Sequence, residues 1–398
     1  MKVLIGAIGL GRYVGTTYGF EDGTTKDADY FLYAITQHIK PEHLIVVATD
    51  KAKEPDLKNN KPSPLAELNE WIALENVPTT VIDIPNGKDR NEAWGIFNAI
   101  VEKYDAMFPK GSAQPEVYMD VTNGLRSIPI LMLSIARYLQ RSRQIDLRGI
   151  FYGAFDAVER SENVKPVYQV DSFMTVLDWA SAVDTFLTTG NSVHLAEMLE
   201  MQNLAIENAD EIADSLRDLS TALDLVRIEQ IHQCADSLVN AISKVDTEDM
   251  VAEGRIIVEL LHRLQSEFEP LAIATPQANM RTFLKKNLEL VLWYFNRNRY
   301  QDAMLVAREW ILTYKMQNKN AKLKRSYSTS EIFDRSIRDT EDGYRQWVIR
   351  DKLELNKEIN DVRNSLLHGG FSDEQSAQDM VNRIENVIAK LQKLKVAL

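Results

Sequence analysis

Near the end of the chain stands Asp361-Val362-Arg363-Asn364-Ser365-Leu366-Leu367-His368-Gly369-Gly370. A histidine titrates near neutral pH and can give or take a proton at a reacting phosphate. An arginine offers a planar cation to charge developing on phosphorus, and Asn364 adds a hydrogen-bond donor. Metal-free attack of a ribose 2′-hydroxyl on the adjacent phosphate needs these groups. Spacing alone says little, because short motifs arise by accident. Arg227…His232 and Arg255…His262 have similar spacing. Both lie in amphipathic runs with no polar residue after the arginine, and they read as core or surface side chains. On an ideal helix Arg363 and His368 stand about 140° apart. Gly369-Gly370 would stop the helix there. A complete site is therefore easier to build from two such tails across a twofold axis. No Asp/Glu/His cluster with metal-ligand spacing accompanies them, so no metal is expected.

Two loops earlier in the chain suit a different ligand. The first is Ile8-Gly9-Leu10-Gly11-Arg12-Tyr13-Val14-Gly15. Glycines let a backbone approach a phosphate, and the N–H groups of such a turn can hold an anion. The third glycine is one place late for a dinucleotide fingerprint, and no GK[ST] follows for a P-loop. A tight turn without a ligand is the competing reading. The second is Asp120-Val121-Thr122-Asn123-Gly124-Leu125-Arg126-Ser127-Ile128-Pro129. An acid, a hydroxyl, a glycine and an arginine meet there at a strand's carboxyl end, with Ser127 as expected N-cap and Pro129 near the first helical position. Backbone N–H groups, Thr122 and Arg126 at a helix start suit phosphate or ribose. The competing reading is a capped turn with Arg126 in solvent. Thr49-Asp50, ending another strand, belongs to the same rim.

The elements that position these loops follow from hydrophobic pattern. Strands are predicted at Lys2–Ile8, 44–49, Thr79–Ile84, Glu116–Asp120, 147–154 and 167–170. Helices are predicted at 29–39, 64–75, 91–107 and 130–140. Alternation with largely apolar strands predicts a mostly parallel sheet covered on both faces, with ligands beyond the carboxyl ends. From about Ser172 strand signals vanish. Helical runs follow at 174–187, 192–223, 225–242, 253–271, 281–296, 300–316 and from 352 onward. The chain has 398 residues, 45% hydrophobic and 26% charged, which suits two to three globular domains and excludes pervasive disorder. A net charge of −12 excludes bulk electrostatic nucleic-acid binding. The single cysteine, Cys234, allows no internal disulfide and suggests a reducing, cytoplasmic setting. No apolar run reaches membrane-spanning length, and the N-terminus reads as a strand rather than a signal peptide.

The opening strand with its glycine loop, then DVTNGLRSIP, then Gly149-Ile150-Phe151-Tyr152-Gly153-Ala154-Phe155, together resemble the CARF domain. This is the CRISPR-associated Rossmann-like sensor of cyclic oligoadenylates. Its loop usually reads D-V-T-H-G-F-R; Asn123 and Leu125 stand here in place of His and Phe. The resemblance implies an α/β Rossmann-like N-terminal CARF domain, residues 1–172, followed by an all-α region, residues 173–398, holding a helical linker and a HEPN ribonuclease domain. HEPN domains carry Arg-x(4–6)-His with a polar residue after the arginine, as in Arg363-Asn364…His368. Ala307-Arg308-Glu309-Trp310, after Trp293-Tyr294-Phe295, resembles a second HEPN helix.

The CARF–HEPN ribonucleases accompany type III CRISPR systems, and the resemblance implies the following roles. Gly9, Leu10, Gly11, Arg12, Thr49, Asp50, Thr122, Asn123, Gly124 and Arg126 would bind the cyclic oligoadenylate. Arg363, Asn364 and His368 would be catalytic, cutting single-stranded RNA to a 2′,3′-cyclic phosphate. The chain would act as a homodimer or higher oligomer, in the cytoplasm and away from membranes. No cofactor is implied beyond cyclic oligoadenylate as allosteric activator, with cyclic tetra-adenylate the expected ring.

Three other readings compete: a non-catalytic sensor whose helical part serves dimerisation, a nucleotide-dependent enzyme, and a sensor domain that cleaves its own activator. The basic stretch 315–325 reads as a solvated loop, Arg137, Arg141, Arg143 and Arg148 as surface residues, and His38, His43 and His194 as incidental. Arg308 reads as a structural group paired with Glu309 or Asp302.

Overall fold

The computed structural model describes all residues except 10–12, 58–59, 110, 156–163, 202–205, 207, 249, 251, 276–278, 324–353, 370–375 and 396–398. The chain divides into two compact units, Met1–Thr175 and Val176–Leu398.

In the first unit β1 (Lys2–Ile8) is buried from Val3 through Ile8. Such an unbroken apolar run is what a parallel strand covered on both faces requires. Val3, Ile5 and Ala7 enter one core; Leu4 and Ile8 enter the other. The remaining strands are β2 (Thr16–Gly19), β3 (Thr25–Ala28), β4 (His43–Thr49), β5 (Thr79–Ile84), β6 (Glu116–Asp120), β7 (Asp146–Gly153) and β8 (Val164–Gln169). They form one sheet in the order β3-β2-β8-β7-β6-β1-β4-β5. The five strands from β5 to β7 are mutually parallel. Helices α1 (Phe31–Ile39) and α2 (Pro64–Ala73) cover one face; α3 (Arg90–Met107) and α4 (Ser127–Arg143) cover the other.

The other side of the sheet departs from the parallel expectation. β8 runs antiparallel to β7, β2 parallel to β8, and β3 antiparallel to β2. The β2–β3 hairpin was not predicted, because Thr-Thr-Tyr-Gly and Thr-Lys-Asp-Ala carry almost no apolar signal. Tyr18 and Ala28 alone bury their side chains within these two strands. The turn closes through Gly23 at φ +82°, with its N–H on the Phe20 carbonyl. The helix start in the second loop also differs. α4 has Arg126 in the cap position, with no side-chain cap bond, and Ser127 is its first residue.

Among the described residues the second unit contains helices only: α6 (Val193–Met201), α7 (Ala209–Asp224), α8 (Ile228–Ser243), α9 (Ala252–Phe268), α10 (Met280–Phe295), α11 (Tyr300–Leu323), α12 (Glu354–Leu367) and α13 (Ala377–Lys395), with most of α5 (Asp171–Thr189). The predicted runs 192–223 and 352 onward are each two helices. Their apolar stripes share one core, in which Trp179, Trp293, Trp310 and Tyr294 are the bulkiest members. His232 lies inside it, with Nδ1 2.6 Å from the Leu271 carbonyl oxygen and Nε2 against Asn287. Burial holds its imidazole below the ordinary range. The Arg227…His232 pair is thus a helix-cap position and a core group.

Arg299, in the turn between α10 and α11, ties two other helix ends together. It donates to the carbonyls of Leu223 at 3.2 Å and Thr189 at 3.3 Å, and pairs with Asp302 at 2.7 Å and Asp224 at 3.3 Å. Its guanidinium also lies 4.9 Å from the Tyr294 ring centre. A cation at the carboxyl ends of α5 and α7 meets their terminal carbonyls and their dipoles. Arg299→Ala is expected to lower the unfolding free energy by about 2 kcal/mol, measured by urea titration, with Arg299→Lys recovering only part. A change below measurement error in Arg299→Ala would show the turn to be redundant.

Candidate functional site

Strand order reverses at β1, whose two neighbours are β4 and β6. In such sheets the crevice beyond the carboxyl ends at the reversal is where ligands enter. The segments that leave there are Gly9 after Ile8, Asp50 after Thr49, and Val121–Arg126 after Asp120. The register sets Ile8 opposite Ala48 and Gly6 opposite Asp120, so the three exits share one rim.

The first and third of these turns touch. A methyl group built on Gly9 would lie 3.0 Å from the Gly124 Cα atom. Gly124 has φ +115°, and a methyl there would meet Ile128 of α4 at 3.2 Å. Glycine is therefore needed at both positions, by contact at one and by both conformation and contact at the other. Tyr13 braces the first turn, donating its hydroxyl to the Gly9 carbonyl at 2.8 Å and accepting the Gly9 N–H at 3.3 Å. Its ring stacks on Tyr30, centres 4.3 Å apart. Burial pushes the Tyr13 phenol up to about 12. Tyr13 was not singled out in the sequence; only the pairing of an aromatic with a glycine turn could have marked it. Leu10, Gly11 and Arg12 lie outside the described residues.

The third turn is built on Asp120. Its Oδ1 accepts the Thr122 N–H at 2.8 Å, forming an Asx-type turn. The Thr122 hydroxyl accepts the Gly153 N–H at 2.8 Å, which ties the turn to the end of β7. Thr122 and Asn123 are half-buried, whereas Gly124, Leu125 and Arg126 are exposed. Among the described residues no carboxylate pairs with Arg126, so its cation faces solvent at the start of α4.

The second exit differs from the expectation of a hydroxyl presented to a ligand. Thr49 is only 2% exposed, and its hydroxyl caps the short 3₁₀ turn Asp50–Lys53 by accepting the Ala52 N–H at 3.3 Å. Asp50 is exposed and paired with Lys53 at 3.2 Å, and Lys53 also reaches Asp83 at 3.2 Å. Asp83 and Asp50 together hold the Lys53 ammonium above its ordinary range.

The Arg363–His368 segment closes α12. Ile359 and Val362 are buried in the helical core, which leaves Arg363 half-buried and Asn364 in solvent. An Arg363 guanidinium N–H donates to Asn364 Oδ1 at 3.3 Å. His368 stands one residue past the helix, exposed, its backbone N–H still bonded to the Asn364 carbonyl at 3.0 Å. Gly369 has φ +63°, the left-handed stop expected after a helix. Gly370 lies outside the described residues, as do the side chains of 315–325. Arg308 pairs with Glu309, while Asp302 is taken by Arg299. Arg143 pairs with Asp105 at 2.7 Å and Arg148 with Asp146 at 2.7 Å. Among the described residues no group of three His, Cys, Asp or Glu side chains is placed to hold a metal ion, and no helix is long and apolar enough to cross a membrane.

Comparison with known proteins gives the following similarities. Residues 3–156 match the CARF domain of the CRISPR system endoribonuclease Csx1. Residues 175–271 match the second domain of the CRISPR-associated protein MJ1674. The MJ1674 protein of Methanocaldococcus jannaschii is itself 21% identical over 97% of this chain, and the chain spans 66% of that relative's length. The Enterococcus italicus Csm6 structure, bound to cyclic hexa-2′-fluoro-hexa-dAMP, aligns over 100% of this chain and 94% of its own, with 12% identity and a TM-score of 0.49. The sheet with its reversal at β1 and its touching glycine turns thus lies within the stretch that matches a CARF domain, and a helical region follows it.

Proposed function

We propose that this chain is a cyclic-oligoadenylate-activated, metal-independent endoribonuclease of type III CRISPR defence. The observation that carries the sensor half is the contact between Gly9 and Gly124 at the strand-order reversal. It gives a backbone-lined cradle with the Arg126 cation at its edge, suited to phosphodiesters. In this reading the ring lies across a homodimer of sensor domains, residues 1–172. It shifts a two-state dimer by binding one state better than the other.

The effector half is residues 173–398, read as a helical linker and a HEPN domain. Its support is the exposed His368 at the end of α12, in sequence shortly after Arg363 and Asn364. The ribose 2′-oxygen attacks the adjacent phosphorus, and the bond from phosphorus to the 5′-oxygen breaks. His368 moves the proton between these oxygens, and Arg363 balances the charge on the phosphoryl oxygens. The product carries a 2′,3′-cyclic phosphate. Two α12 ends meeting across the dimer axis supply one cleft.

The test is cleavage of a fluorogenic single-stranded RNA in excess EDTA, with no activator, with cyclic tetra-adenylate and with cyclic hexa-adenylate. Cleavage is expected with one ring only, cyclic tetra-adenylate. A ring that binds without eliciting cleavage would overturn the ribonuclease reading, and disappearance of the bound ring would favour a domain that degrades its own ligand.

A further inference from the structure

One carboxylate lies beneath the two touching turns and has no part in the reading above. Asp120 ends β6 and is 0% exposed. Val117 and Met119 point to the α3–α4 face, so by strand alternation Asp120 points to the face covered by α1. There it adjoins Gly6 of β1, whose built methyl would lie 3.2 Å from the Asp120 Cβ and against Leu32 of α1. Oδ1 is satisfied by the Thr122 N–H, but Oδ2 is buried with no hydrogen-bond partner among the described residues. An interior carboxylate with one bare oxygen is costly in its charged form.

The groups around it do not relieve that cost. The titratable side chains facing it are the phenols of Tyr13, after β1, and Tyr18, on β2, both neutral and both held up mainly by burial. Leu32 from α1 is apolar. Among the described residues no cation acts on Asp120. Desolvation pushes its carboxyl up to about 7, against the opposing hydrogen bond from Thr122. The group thus stands at the middle of its titration at neutral pH, directly under the place where phosphates are proposed to sit.

We propose that Asp120 is a positioning residue that takes up one proton from solvent when the Gly9 and Thr122–Gly124 turns capture a phosphate-bearing ring. The inference rests on the reading of these turns as the ring's cradle. A phosphodiester held above a buried carboxylate is a second negative charge in a low dielectric, so the bound state favours the neutral acid. The neutral acid keeps its carbonyl oxygen on the Thr122 N–H, so the turn retains its shape. By linkage the ring binds tightly below the free-state midpoint and progressively more weakly as pH rises through it.

The experiment is calorimetric titration of the full chain with cyclic tetra-adenylate and cyclic hexa-adenylate, at about pH 6 and about pH 8, with the higher pH repeated in HEPES and in Tris. Neither the phosphodiesters nor the adenines titrate in that window. The wild type is expected to bind close to tenfold more weakly at the higher pH, with heats that reveal uptake of nearly one proton. Asp120→Asn keeps an oxygen for the Thr122 N–H and carries no charge. It is expected to bind equally at both pH values and to take up no proton. Equal pH dependence in both proteins would overturn the inference while leaving the cradle intact. No binding of either ring by the wild type would overturn the cradle itself. Should Asp120→Asn not fold by circular dichroism, a carbon-13 carboxyl titration of the wild type decides: an Asp120 midpoint unchanged by the ring refutes proton uptake.

Discussion

Gly9→Ala is expected to weaken capture of cyclic tetra-adenylate by about two orders of magnitude, close to 3 kcal/mol of binding free energy. The added methyl would fall 3.0 Å from the Gly124 Cα, a backbone atom that no rotamer change can move aside. The turns must separate, and separation also lengthens the Tyr13 bonds that fix Gly9. Gly124→Ala is expected to match it for two reasons at once: the φ of +115° costs about 1–3 kcal/mol for a residue with a Cβ, and the methyl presses on Ile128. Because both substitutions strain one contact, the double variant should lose much less than the sum. Calorimetry measures the affinities, and near-ultraviolet circular dichroism with thermal melting separates a lost cradle from a lost fold. Wild-type affinity in a folded Gly9→Ala would show that the ring does not seat where the turns meet.

His368→Ala is expected to reduce activator-dependent RNA cleavage by about 10³-fold, the middle of the range that one positioned acid–base group supplies, with ring affinity unchanged. The position makes this a clean test. His368 stands past the end of α12, exposed, and only its backbone N–H bonds to the Asn364 carbonyl. Alanine keeps that N–H, so stability should change by less than about 0.5 kcal/mol. Arg363 is a poorer target, since it is half-buried one turn earlier and its loss would disturb α12 as well. Initial rates over several enzyme concentrations, beside titration of the ring, give both quantities. Undiminished cleavage in His368→Ala would remove this segment from the chemistry.

The strands were legible where both faces are buried. β1 begins and ends where its apolar run does, because a strand covered by helices on two sides must be apolar, whereas edge strand β5, Thr79–Ile84, was marked by its β-branched residues and alternates buried and exposed positions toward its end. The β2–β3 hairpin was not legible, since its polar strands are held by neighbours in the sheet rather than by a pattern of their own. The same limit governs side chains. The acid of the 120–126 loop was visible as an acid, but its complete burial depends on α1 crossing Gly6, a tertiary contact without local signature. Thr49 was placed at the correct rim, yet whether its hydroxyl faces a ligand or caps Asp50–Lys53 is decided by the course of the chain after it. Arg299 stands in the polar stretch Asn296-Arg297-Asn298-Arg299, which carries no local mark of a role. Its partners, Thr189 and Leu223, come from helices far away in sequence.

The outermost strand on one side, β3, bears on how this protein behaves at high concentration. An edge strand offers a row of backbone donors and acceptors to any passing chain. β3 is four residues long, Thr25-Lys26-Asp27-Ala28, and places a cation and an anion side by side in sequence on that row. The Asp27 carboxylate is already engaged by the Thr17 hydroxyl of β2. A newcomer strand would gain few hydrogen bonds there and would have to strip water from two charges. The sheet is thus protected at this margin from templating its own aggregation, so crowded molecules should meet through their side chains rather than by adding strands at β3.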